Sequence, residues 1–177
     1  MRARRVALAR GIPRAAEQAA AHLPAHCLAG VGVVGGYRPI GAELDPGPLF
    51  ELFEAAGAQI ALPAVTELDK PLVFRLWRDG DPLAPDRLAV PAPTDIRGQA
   101  TPDLIVAPVL AFDRRGGRLG QGGGYFDRTL AHLRGCGTLW VIGLAFAGQE
   151  LDDIPLEAHD QRLNAILTET GYLETTP

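Results

Sequence analysis

A chain of 177 residues is long enough to bury one sizeable core and too short for two ordinary domains. Its 17 basic and 21 acidic side chains give a net charge of −4, which excludes a protein that coats nucleic acid but not one that holds a small anion in a local basic pocket. Charges, Gly and Pro interrupt every hydrophobic stretch before it reaches the length of a membrane span. The Arg-rich start, Met1 to Arg10, lacks the uninterrupted apolar middle of a secretory signal and reads as an exposed helical arm. Ala15 to Leu23 is Ala-rich and follows Pro13, which predicts a helix. Gly30 to Tyr37 is β-branched and bounded by glycines, as a buried strand is. Arg38 to Pro48 is a loop at its C-terminal end. Leu49 to Ala56 has helical apolar spacing and stops at Gly57, and Gln59 to Pro63 is a second strand ended by proline. This strand–helix–strand spacing predicts a βαβ unit with parallel pairing.

Leu72 to Trp77 alternates as a strand does, with a turn at Asp79-Gly80. Residues 81 to 102 form a Pro-rich connection with one short edge strand around Leu88 to Val90. Leu104 to Pro108 is a short buried strand, followed by a polar, Gly-dense stretch from Asp113 to Gly124. Tyr125 to Leu133 is helical, with Gly135 as its stop. Thr138 to Phe146 is the most apolar run and predicts a central strand; Asn164 to Thr168 is the last. The expected architecture is one α/β domain over residues 1–177, a largely parallel sheet flanked by helices in a Rossmann-like three-layer arrangement.

The densest chemical signal lies between the strand at Leu104 and the helix at Tyr125. Open α/β sheets bind ligands at the carboxyl ends of their strands, and repeated glycines let backbone N–H groups approach an anion there. Arg118 and Arg128 flank this stretch and suit phosphate or carboxylate oxygens. Asp127, in the first helical turn, would repel a bare phosphate but suits a bridging divalent cation. A flexible Gly-rich turn capped by a helical Asp would carry the same pattern. The Walker loop is excluded because this stretch holds no lysine, and the dinucleotide fingerprint fails at Tyr125. Glu43 follows a strand end and is either an acceptor for ligand N–H groups or a solvated loop acid. His159, beside Asp160, reads as solvent-facing. Cys27 and Cys136 are far apart and match neither a disulfide framework nor a zinc site. A nucleophile elbow is ruled out, since the chain has no serine.

Taken in order, Pro39 to Asp45, Leu62-Pro63, Pro102-Asp-Leu-Ile-Val-Ala-Pro108, Arg118-Leu-Gly-Gln-Gly-Gly-Gly-Tyr-Phe-Asp-Arg128, Pro155 to Asp160 and Thr168-Glu169 resemble the 5-formyltetrahydrofolate cyclo-ligase family. The resemblance implies an ATP-dependent ligase that converts 5-formyltetrahydrofolate to 5,10-methenyltetrahydrofolate with Mg²⁺, releasing ADP and phosphate. It implies ATP contacts at Arg118, Leu119, Gly120, Gln121, Gly122, Gly123, Gly124, Tyr125, Phe126 and Arg128. It places the folate against Glu43 and against Gln121 to Tyr125, the metal on Asp127 and Asp160, and catalytic roles on Arg118 and Tyr125. Partners are then the folate and ATP, with neither nucleic acid nor membrane. A cytoplasmic monomer or weak dimer is expected.

Three departures from the family pattern stand out. Met1 to Leu8 resembles only the tail of the family's first helix, without its leading basic residue: either the chain start is set too late, Arg2, Arg4 or Arg5 substitutes, or ATP binding is weakened. Ala92 replaces a glutamate, and Gln121 replaces the usual Tyr between the glycines. An inactive folate- or nucleotide-binding relative is the alternative reading of the first departure.

Overall fold

A computed structural model describes residues 1–175. The chain runs through α1 (Arg2–Gly11), α2 (Ala15–Ala21), β1 (Val33–Gly35), α3 (Gly47–Ala55), β2 (Gln59–Ala64) and β3 (Val73–Trp77). A small hairpin of β4 (Leu83–Pro85) and β5 (Pro91–Pro93) follows, then β6 (Leu104–Pro108) and a second hairpin, β7 (Ala111–Phe112) with β8 (Arg118–Leu119). The remainder is α4 (Tyr125–Cys136), β9 (Trp140–Leu144), β10 (Ala165–Thr168) and β11 (Gly171–Glu174).

Seven strands form the main sheet in the order β11-β10-β9-β6-β1-β2-β3. β2, β1, β6, β9 and β10 run parallel, and β3 and β11 close the two edges antiparallel. Side chains alternate across this sheet, as the two-residue strand period requires. Ile60, Leu62, Leu104, Val106, Ile142 and Leu144 face α2 and α3, packing with Ala19, Leu49, Phe50 and Phe53. Ala61, Ile105, Ala107, Val141 and Ile166 face the other way, onto Leu130 of α4 and Phe112. The expected α/β architecture with a mainly parallel sheet between helical layers is what the chain adopts. Among the described residues no helix is long and apolar enough to cross a membrane.

Several local expectations need correction. The arm at Met1–Arg10 is not free: α1 lays Leu8 and Ala9 on the first core and buries Arg5. Leu88 to Val90 is not a strand but the connection between β4 and β5, where Asp86 accepts the N–H groups of Leu88 and Val90. Pro63 does not end β2, which continues to Ala64 against β3. β1 pairs with β2 only as far as Ala61, so the missing N–H of Pro63 costs that ladder nothing. Gly135 lies inside α4, which runs on to Cys136. One glycine in a last turn costs only about 1 kcal/mol against Ala.

Candidate active site

The strand order reverses between β1 and β6: β2 lies outward from β1 on one side, β9 and β10 outward from β6 on the other. At such a point the connections leaving adjacent strands part, and a crevice opens at their carboxyl ends. The loop after β1 carries Glu43; the segment after β6 carries the β7–β8 hairpin and the glycines. A cavity of about 610 Å³ lies there.

On the β1 side, the loop is held from within. The buried Tyr37 hydroxyl donates to the Leu44 carbonyl. Burial, and then the carboxylates of Glu43 and Asp45, push that phenol well above its ordinary pKa, so it stays a neutral donor. Glu43 is buried at its tip, with 6% of its side chain exposed. Its Oε2 accepts the Ile40 N–H at 2.9 Å, and its Oε1 accepts Arg5 Nη1 at 3.4 Å and Gln121 Nε2 at 3.2 Å.

On the β6 side, Gln149 fixes the exit of the strand by donating its amide to the carbonyls of Val109 and Leu110. The β7–β8 turn is organised by Asp113, 1% exposed, which accepts the N–H groups of Arg115, Gly117 and Ile154. Burial alone would raise its pKa, but those three donors together hold it below the ordinary carboxylate value. β8 then delivers Arg118 into the cavity, and the Gly loop leads to the start of α4. Gly124 sits at φ 63°, a left-handed conformation that favours glycine, and forms the N-cap. Among the described residues, no protein acceptor meets the backbone N–H groups from Gly122 to Tyr125. Free donors at a helix N-terminus suit an anion.

Arg118, 8% exposed, donates from Nη2 to Asp127 Oδ1 at 2.6 Å, and the Gln161 N–H reaches the same oxygen at 3.1 Å. Asp160 lines the same cavity and accepts the Glu157 N–H on Oδ2 at 2.7 Å. Magnesium bound with a nucleotide needs only one or two protein carboxylates, the phosphates and water supplying the rest. Asp127 keeps its Oδ2 free of protein hydrogen bonds, and Asp160 its Oδ1, which has His159 Nε2 3.8 Å away. Among the described residues no cluster of three or more His, Cys, Asp and Glu could hold a metal on its own.

The structure brings together Glu43, Asp127, Asp160 and the whole run from Arg118 to Phe126 around one cavity. Arg128 is set apart: it donates to the Gly123 carbonyl at 2.9 Å and stacks 4.7 Å over the Tyr125 ring. His159 lines the rim with a side chain 69% exposed, as its solvent-facing reading anticipated. Arg5 reaches the cavity from α1, one of three arginines the sequence left undistinguished. Asp113, Tyr37 and Gln149 were missed as supports, since nothing local in sequence marks a buried acceptor or donor.

A model of the 5-formyltetrahydrofolate cyclo-ligase family matches residues 1–169. The chain belongs to that family. It is 33% identical over 172 residues to the 5-formyltetrahydrofolate cyclo-ligase of Mycolicibacterium smegmatis, covering 90% of this chain and 87% of the relative. The cyclo-ligase of Escherichia coli strain K12 is 33% identical over 137 residues, 75% of each chain. The NMR structure of Aquifex aeolicus 5,10-methenyltetrahydrofolate synthetase shares the fold with a TM-score of 0.73 at 24% identity, covering 92% of this chain and 81% of that one. Against the cyclo-ligase pattern, Ala92 is buried in β5 at 2% exposure and lies outside the cavity lining. Gln121 by contrast faces Glu43 directly.

Proposed function

We propose that this cyclo-ligase closes 5-formyltetrahydrofolate to 5,10-methenyltetrahydrofolate at the expense of ATP. The supporting observation is that Glu43, an acceptor suited to folate N–H groups, and the anion seat at Gly122 to Tyr125 line one cavity at the sheet's switch point. The γ-phosphoryl group passes from ATP to the formyl oxygen, leaving ADP. The anilino nitrogen attacks the activated formyl carbon, loses its proton, and the C–O bond breaks as phosphate departs. Such chemistry asks for alignment and charge neutralisation more than for a protein nucleophile.

In this reading Glu43 orients the folate, and the free N–H groups with Arg118 neutralise charge on the transferring phosphoryl group. Arg5 supplies a further cation from the α1 side of the cavity. Tyr125, presenting its ring beside the seat, flanks the reacting groups. Asp127 and Asp160 would hold magnesium, which when bound supplies further neutralisation of the nucleotide phosphates.

The test follows methenyl-folate absorbance with purified protein, 5-formyltetrahydrofolate, Mg²⁺ and ATP, with a no-ATP control. The diagnostic variant is Asp127→Asn rather than Asp127→Ala, because the amide oxygen still offers Arg118 and the Gln161 N–H an acceptor. ATP-dependent signal that drops at least about a hundredfold in the variant is the expected result. Wild-type-like turnover in Asp127→Asn overturns the metal assignment. A folded wild type that binds the folate without turnover identifies an inactive relative instead.

A further inference from the structure

Gln121 is bonded at both ends of its carboxamide to other parts of the fold. Its Oε1 accepts Arg2 Nη2 of α1 at 3.1 Å, and its Nε2 donates to Glu43 Oε1 at 3.2 Å. The same Glu43 oxygen also accepts from Arg5, and the other one from the Ile40 N–H. A carboxylate oxygen offers two lone pairs, so Oε1 is full and Oε2 has one place left. A ligand that presents two adjacent N–H donors to Glu43 must therefore displace a donor already there.

The three donors are not equally held. Arg5 is buried and charged, and Ile40 belongs to the same tight turn as Glu43. Gln121 is exposed and neutral, so its bond yields first. The Gly loop that carries Gln121 also carries the free N–H groups of the anion seat. Gln121 directly precedes the first of those groups, so a phosphate seated there acts on the same short loop that holds Glu43.

We propose that Gln121 couples the two halves of the site: its bridge ties the Gly loop to Glu43 and α1, and either ligand breaks it. This inference rests on the functional reading above. Because the bridge is broken once, the first ligand to bind loses free energy in breaking it and the second does not. The coupling is therefore positive, and by linkage it is equal in both directions.

The experiment measures, by calorimetry, the Kd of 5-formyltetrahydrofolate with and without a magnesium complex of a non-hydrolysable ATP analogue, and the reverse. It compares wild type, Gln121→Ala and Arg2→Ala, each checked for folding by thermal melt. In the wild type each ligand should tighten the other by about fivefold or more, the lower end of ordinary coupling. In Gln121→Ala the factor should fall to near one, with each ligand alone binding tighter than to wild type. Arg2→Ala, which cuts one end of the bridge, should lower the factor without abolishing it. Wild-type binding of both ligands without coupling overturns the inference, as does undiminished coupling in Gln121→Ala. Weaker binding of each single ligand to Gln121→Ala also overturns it, marking the amide as an ordinary ligand contact. A folded wild type that does not bind the folate at all overturns the functional reading, and this inference with it.

Discussion

Asp113 does not line the cavity, yet the turn that leads into Arg118 hangs from it. Replacing it with Asn leaves one side-chain acceptor where two oxygens served three N–H donors, and should cost about 2–3 kcal/mol at pH 7. Its native pKa is depressed, so the stabilisation is fully present above the ordinary value of 3.8 and is lost as pH falls through the native value. Chemical denaturation at pH 7 and near pH 3 should therefore show the gap between wild type and Asp113→Asn closing in acid. Arg118 and Asp127 pose the opposite case, a charge pair inside the site. Removing the acid as Asp127→Ala strands a buried guanidinium, and an unfolding experiment should register about 3 kcal/mol or more. At this scale the sequence is legible where chemistry demands a residue type: glycines for close backbone approach, and acid and arginine beside them. It is silent on Arg5 against Arg2 and Arg4, because which of three neighbouring arginines turns inward depends on how α1 docks.

α4 begins on Gly124, whose left-handed backbone turns the chain from the Gly loop into the helix. A Cβ there would stand 2.8 Å from Arg128 Nη1, so Gly124→Ala should lose about 1–2 kcal/mol of stability. Displacing Arg128 from the Gly123 carbonyl should also raise the KM for ATP, read from initial rates. A second element meets its neighbour as closely at Gly36, just beyond β1, where a Cβ would overlap the Phe50 ring of α3. Gly36→Ala should cost about 1–3 kcal/mol as an overpacked core, with ligand affinities following only through stability. The long elements were readable because each carries a period. α3 buries Leu49, Phe50 and Phe53 at helical spacing, and β6 and β9 are continuous apolar runs as doubly covered strands are. The two-residue strands β7 and β8 carry no period at all. β11 is half-exposed along most of its length, so no alternation announces it.

At the level of the whole molecule, ligands that bind only the folded state stabilise it by mass action. Each of ATP analogue and folate at about a hundred times its Kd should add about 2.7 kcal/mol, raising Tm by about 5–10 °C in a thermal scan. The layered architecture was legible from alternating helices and strands, whereas the pairing order was not, because nothing local specifies which strands become neighbours. That order makes the sheet two contiguous pieces, β1 to β3 and β6 to β11, joined where β6 lies beside β1, with Val34 opposite Leu104, Gly35 opposite Ile105 and Asp103 bonded to Gly32 and Val33. Arg5 and Glu43 belong to the earlier piece, and the Gly loop, Asp127 and Asp160 to the later one. During synthesis the amino-terminal piece therefore emerges with Glu43 and without the Gly loop opposite it. A chain stalled before β9 leaves β6 paired on its β1 side alone and has yet to make Asp160.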